Sequence, residues 1–222
     1  MANICTSEIV IRVDDKTRPI MNNLVNLDGG VSQLTELVEM MISNGIEFND
    51  IEKAFINNSR PLILTPWFDG GFLNDKYTSE VYIGGESKWD FPCEALSIID
   101  SKLNNAISWL AYECGNNYCY SYGERFEDYM YIIDTNHNIS IPPNASESFQ
   151  GFVLIRNTED LIDSISLSFD FDIGSIPDVV SAIEQNIFCR TVVDSIMSCL
   201  MDNMPHLFEN GYFNICEITP FK

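Results

Sequence analysis

The chain has 222 residues, with 33 Asp and Glu against 12 Lys and Arg and a formal charge of −21 at pH 7. A sequence pI near 4.1 sets its field against direct binding to nucleic acid or to an anionic membrane, both of which repel it. A hydrophobic content of 45% with 12% aromatics is enough for a packed core and excludes a disordered acidic tail.

Residues 4–13 alternate as a strand, with Ile9 and Ile11 on one face and Val10 on the other. Asp14, Asp15 and Pro19 end it. Leu34, Leu37, Val38 and Met41 recur at helical spacing over residues 32–44, with Ser32 as cap and Gly45 as stop. A short helix is expected over 49–56. Residues 62–64 read as a strand closing at Pro66, and residues 80–83 as a strand ending at Gly84 and Gly85. Pro92 opens the next helix, whose apolar stripe is Ala95, Leu96, Ile99 and Leu103. Trp89, just before it, is expected to pack beneath it.

Three strands follow, at 107–113, 118–122 and 129–133. The order strand, helix, strand, strand, helix, strand predicts an α+β fold with a ferredoxin-like split βαβ sheet. Residues 134–148, with Pro142-Pro143 and many Asn and Ser, read as a loop or linker. Beyond them the pattern gives strands at 151–156 and 164–172, a long helix at 178–204 and a last strand at 212–218. The expected organisation is therefore a domain over 1–133, the linker, and a C-terminal strand-helix-strand elaboration over 149–222 packed on it.

The N-terminus has neither a basic region nor a long apolar run, and no window suits a transmembrane helix. Seven scattered cysteines fit free thiols in a reducing cytoplasm.

Met1-Ala2-Asn3-Ile4-Cys5 running into a strand, and Lys88-Trp89-Asp90 before the Pro92 helix, together resemble the YubB-type ferredoxin-like domain family of plasmid and phage proteins. The resemblance spans about residues 1–133. It implies a mobile-element accessory protein with no established enzymatic activity, in the cytoplasm of a bacterial host cell. The Phe91-Pro92-Cys93 segment departs from the pattern, and the chain from about residue 148 onward has no counterpart in it.

Motifs for chemistry are sparse. Cys114 and Cys119 lack the second pair that a zinc site needs, and read as hairpin cysteines. Asp170 and Asp172 lack the further ligands of a calcium loop and read as outward positions of a strand. His137 and His206 are the only imidazoles, and no Gly-x-Ser-x-Gly, His-Glu-x-x-His or phosphate-binding glycine loop occurs. No enzyme, cofactor or metal is expected.

The acidity itself remains. Residues 1–102 hold 16 acidic and 8 basic side chains, and the rest hold 17 and 4, without a run of five like charges. A chain of this length is about 45 Å across when compact, and duplex DNA of that length carries about 26 phosphates. Taken with the mobile-element resemblance, the leading expectation is a non-enzymatic protein that binds and inhibits a basic nucleic-acid-binding host protein, a restriction or CRISPR-type nuclease, by DNA mimicry if the carboxylates share one face; spread evenly, they would serve solubility alone. Its candidate contacts are Asp14, Asp15, Glu127, Asp128, Glu159, Asp160, Asp163, Asp170, Asp172 and Asp178. Tyr118, Tyr120, Tyr122, Tyr129 and Tyr131 would be anchors, with alternation leaving about half of them exposed. The rival reading is an assembly module, a homodimer formed through the apolar surplus of helix 178–204, which a central buried helix would explain equally.

Overall fold

The computed structural model describes residues 4–25, 34–66, 80–88, 90–113, 118–135, 148–149, 152–169, 181, 190–203, 205 and 213–222. In chain order the described elements are β1 (Ile4–Arg12), α1 (Arg18–Val25), α2 (Leu34–Ser43), α3 (Asp50–Asn57), β2 (Leu62–Pro66), β3 (Glu80–Lys88), α4 (Cys93–Lys102), β4 (Ile107–Glu113) and β5 (Tyr118–Tyr122). They continue with β6 (Tyr131–Thr135), β7 (Ser148–Phe149), β8 (Phe152–Ile155), α5 (Thr158–Phe169), α6 (Arg190–Asn203), β9 (Phe213–Glu217) and β10 (Thr219–Pro220). The fold is α+β. Its chain divides into two units. The first comprises Met1–Glu113, Tyr120–Phe126 and Pro220–Lys222, and the second Cys114–Cys119 and Glu127–Thr219.

The first unit is built on a sheet of order β10-β5-β4-β1-β3-β2. β1 is central and antiparallel to both β3 and β4, and β2 is antiparallel to β3. The register sets Ile9 opposite Ile83 and Trp109, and Ile11 opposite Val81 and Ile107. These side chains share one face, and all are buried. The period-two alternation of β1 thus puts its odd residues, Cys5 to Ile11, into one core.

Helices cover that face. Phe91, at the entry to α4, lies 4.9 Å from Trp109, ring centre to ring centre. α4 touches α3, α3 touches α2, and α2 touches α1, which makes one continuous layer. Leu37, Val38 and Met41 of α2, and Ala95, Leu96 and Ile99 of α4, are its buried stripes, at the helical spacing read from the sequence. α3 opens with a capping box: the Asn49 side chain accepts from the Glu52 N–H, and the Glu52 carboxylate accepts from the Asn49 N–H.

Several elements differ from expectation. α1 was not foreseen. Pro19 stands in its first turn, where a missing N–H costs nothing, and the Asp14 carboxylate accepts from the Thr17 and Lys16 N–H groups just ahead. β3 runs through Gly84 and Gly85 instead of ending there, since the bare Cα of Gly85 leaves room for Ser7 and Leu62, which a Cβ would meet.

The strand expected at 164–172 is helix over its described part. Residues 158–169 form α5, started by Asn157, whose side chain accepts from the Asp160 N–H. The long helix expected at 178–204 is described as α6 from Arg190 to Asn203, and residues 178–180, 182–189 and 204 of that expectation lie outside the described residues. Its Val192, Val193, Ile196 and Leu200 are buried.

The second unit holds a sheet of order β7-β8-β6-β9, in which β6 pairs antiparallel with β8 and β9. β6 was expected to close the first domain. Its partners place it in the second unit, so the division does not fall at residue 133, and Pro220–Lys222 returns to the first. Residues 148–149, the edge of the expected linker, pair with β8.

Candidate functional site

The helical layer of the first unit carries the best-defined concentration of negative charge. Glu36 and Glu39 of α2, Glu47 of the following loop, Asp50 of α3, Asp90, and Glu94 of α4 are all exposed. Amphipathicity accounts for this, because the opposite stripe of each helix fills the core and the carboxylates take the outer face. The counter-charge in the layer is small. Lys102 is bound to Glu52 at 2.8 Å and lies over the Phe48 ring. That contact, with the Asn49 N–H, holds the Glu52 carboxyl below the usual range.

Between α3 and the start of α4 the layer opens into a groove of about 660 Å³. Ile51 and Phe55 of α3 stand at it, 82% and 48% exposed, with Phe91 and Ala95 beneath. Asp50, Asp90, Glu94 and Arg60 are its charged lining.

The carboxylates singled out from the sequence separate into several roles. Asp14 and Asp15 are exposed at the β1–α1 turn. The N–H of Thr17, then its hydroxyl and Lys16, hold the Asp14 carboxyl below its ordinary range, so this side chain builds the turn. Glu127, Asp128 and Glu159 are exposed, and Asp163 is half-buried. Asp160 corrects the expectation. It is only 6% exposed and is engaged by Arg156 through both the backbone N–H and the guanidinium Nε, at 3.1 Å each, which locks the start of α5. Asp170, Asp172 and Asp178 lie outside the described residues, as do Trp89 and Cys114.

Tyr118, Tyr120 and Tyr122 alternate with buried Cys119 and Ser121 and are each half-exposed on one face of β5. Tyr122 stacks on Trp109 at 5.8 Å and donates to Asp100 at 2.9 Å, so it is held in place. Tyr129 is half-exposed under the Arg156 guanidinium, 5.9 Å from its ring centre. Tyr131 is 3% exposed and belongs to the core, because β6 is paired on both sides.

Two buried carboxyls went unread in the sequence. Asp100 accepts from the Ile107 N–H at 2.7 Å and from Tyr122, fixing the turn in which Asn104 and Asn105 take positive φ. Burial raises its pKa against these donors. Glu8 is buried in the middle of β1 with neither oxygen hydrogen-bonded, and burial pushes its pKa up to about 8. Its place between Ser7 and Ile9 gave no hint, since alternation sets Glu8 on the face opposite Ile9 and does not say that this face is covered too.

Cys5, Cys93, Cys119, Cys199 and Cys216 are free thiols, and burial raises Cys5 to about 12, which makes it a poor nucleophile. Among the described residues no group of three or more His, Cys, Asp and Glu is placed to hold a metal ion. No described helix is long and apolar enough to cross a membrane. Comparison with known proteins gave no match to a family model, to a curated protein or to a solved structure.

Proposed function

We propose that the chain is a non-enzymatic binding protein whose acidic helical layer occupies the basic, nucleic-acid-binding surface of another protein. The observation that carries this reading is the gathering of Glu36, Glu39, Glu47, Asp50, Asp90 and Glu94 on the exposed side of one helical layer with few exposed cations beside them. A field of one sign on one side steers a partner of opposite sign and competes with phosphates for it. The strand order β4-β1-β3-β2 with antiparallel pairing supports a ferredoxin-like core for the first unit. With the resemblance around Lys88-Trp89-Asp90, it directs the search for a partner to host restriction or CRISPR-type nucleases in a bacterial cytoplasm.

The test is affinity capture from bacterial lysate on the immobilised chain, followed by competition of each captured protein with duplex DNA. A basic nuclease retained at about 50 mM salt, released by about 300 mM and displaced by DNA is the expected result. A chain with Glu36→Gln, Glu39→Gln and Glu47→Gln should retain several-fold less. Capture that ignores salt, DNA and these substitutions would end the proposal.

A further inference from the structure

The acidic layer contains one feature that charge alone does not account for, the groove between α3 and the start of α4. Ile51 is a large apolar side chain with 82% of its surface in solvent, and Phe55, one turn on, is 48% exposed. At i and i+4 they stand side by side on one face of α3. Phe91 and Ala95 close the floor and are almost fully buried. The result is an apolar trough of about 660 Å³ within the first unit, a size found for binding clefts.

The rim decides the kind of occupant. Asp50, Asp90 and Glu94 line the groove against Arg60. Asp50 sits in the first turn of α3 and Glu94 in the first turn of α4, so the positive ends of both helices already face carboxylates. An anion is disfavoured there. A small polar ligand would need convergent buried polar groups to orient it. The buried oxygens of Ser7 and Glu8, which lack hydrogen-bond partners, do not line the groove.

Resting on the proposed function, we infer that this groove receives an amphipathic segment of the basic partner, with one or two large apolar side chains seated between Ile51, Phe55 and Pro92. Its flanking Lys or Arg would meet Asp50, Asp90 and Glu94. The apolar anchor supplies the contact that excludes water, and the carboxylates choose the sign of what flanks it. The reading separates two tasks. The outer layer attracts a basic surface, and the groove selects the segment that docks.

The test uses the full chain and two fluorescein-labelled peptides of 18 residues. One carries Leu at helical spacing among Lys, and the other has every Leu replaced by Ser. The Leu-Lys peptide should bind at least tenfold more tightly than the Ser-Lys peptide. Ile51→Asp, an exposed substitution checked by circular dichroism, should remove most of that difference. Asp50→Asn with Asp90→Asn and Glu94→Gln should weaken binding several-fold and flatten its salt dependence.

Equal binding of both peptides, unchanged by Ile51→Asp, would overturn the groove while leaving the acidic-layer reading in place. A concentration-dependent dimer in sedimentation that Ile51→Asp abolishes would overturn it too, by showing that the occupant is a second copy. Failure of the proposed function shows elsewhere, in capture indifferent to the Glu36, Glu39 and Glu47 substitutions.

Discussion

Glu8, in the centre of β1, and Asp100, at the end of α4, are both carboxyls left 1% exposed within one unit, and their surroundings are opposite. Asp100 accepts from the Ile107 N–H and the Tyr122 hydroxyl, closing the α4–β4 corner. Glu8 faces Gly84 across the β1–β3 pair and Leu110 across the β1–β4 pair, and neither of its oxygens accepts a hydrogen bond. Burial raises both pKa values, but donors oppose the rise at Asp100 and nothing opposes it at Glu8. A buried carboxyl is therefore either an organiser or a liability, and the presence of donors decides which.

The sharpest way to break this contrast is pH. Folded Glu8 titrates near 8 against an ordinary value of 4.5, so between those values the folded state holds a proton that the unfolded chain has lost. Stability should fall as pH rises across that window and level off above it. The nearest titratable groups on the same sheet face are Tyr82 and Glu86 of β3 and Tyr112 of β4, by register. The full contribution is at most about 5 kcal/mol, from the size of the shift. Urea midpoints of wild type and Glu8→Gln should converge near pH 4 and diverge upward to pH 9, with Gln the more stable. Parallel curves would mean that Glu8 finds a partner in solution.

Asp100 tests the other side. Asp100→Ala leaves the Ile107 N–H and the Tyr122 hydroxyl without their acceptor, and should cost about 3 kcal/mol. Tyr122→Phe removes only one bond of the pair, and should cost about 1 kcal/mol. Chemical denaturation of both variants at pH 6 gives the comparison. If Asp100→Ala proved as mild as Tyr122→Phe, the corner would be held by the Trp109 aromatic cluster and not by the carboxylate.

How far the sequence disclosed these features follows from the range of each interaction. The stripes of α2 and α4 were legible because helix periodicity is a local property that burial merely enforces. α5 was misread because Ile165, Leu167, Phe169 and Phe171 also alternate with period two. The better signal lay upstream, in Asn157 followed by Thr158, Glu159 and Asp160, a helix start with acids in the first turn. Strand β6 was found, but its sheet was not, since pairing with β8 and β9 is a long-range choice. Asp160 and Tyr131 read as surface for the same reason: their burial depends on an arginine and on neighbouring strands. The acidic helical layer was half legible. Net charge was plain, yet Asp50, Asp90 and Glu94 meet only because α3 and α4 pack together.

The capping box of α3 gives a third point for the contrast, a satisfied polar pair at the surface, with Asn49 exposed and Glu52 half-buried beside Lys102. Asn49 and Glu52 exchange two bonds of 2.9 Å, but water can replace either one. Asn49→Ala should therefore cost only about 1 kcal/mol, well below the loss at Asp100. Because α3 carries Ile51 and Phe55 on its first two turns, fraying at its start should also loosen the groove. Amide hydrogen exchange would show this as faster exchange confined to residues 50–54, with α4 unchanged. Global acceleration would instead mean that the cap supports the whole helical layer. The cost of losing a hydrogen bond would then follow from what the helix carries, and not from how exposed the bond is.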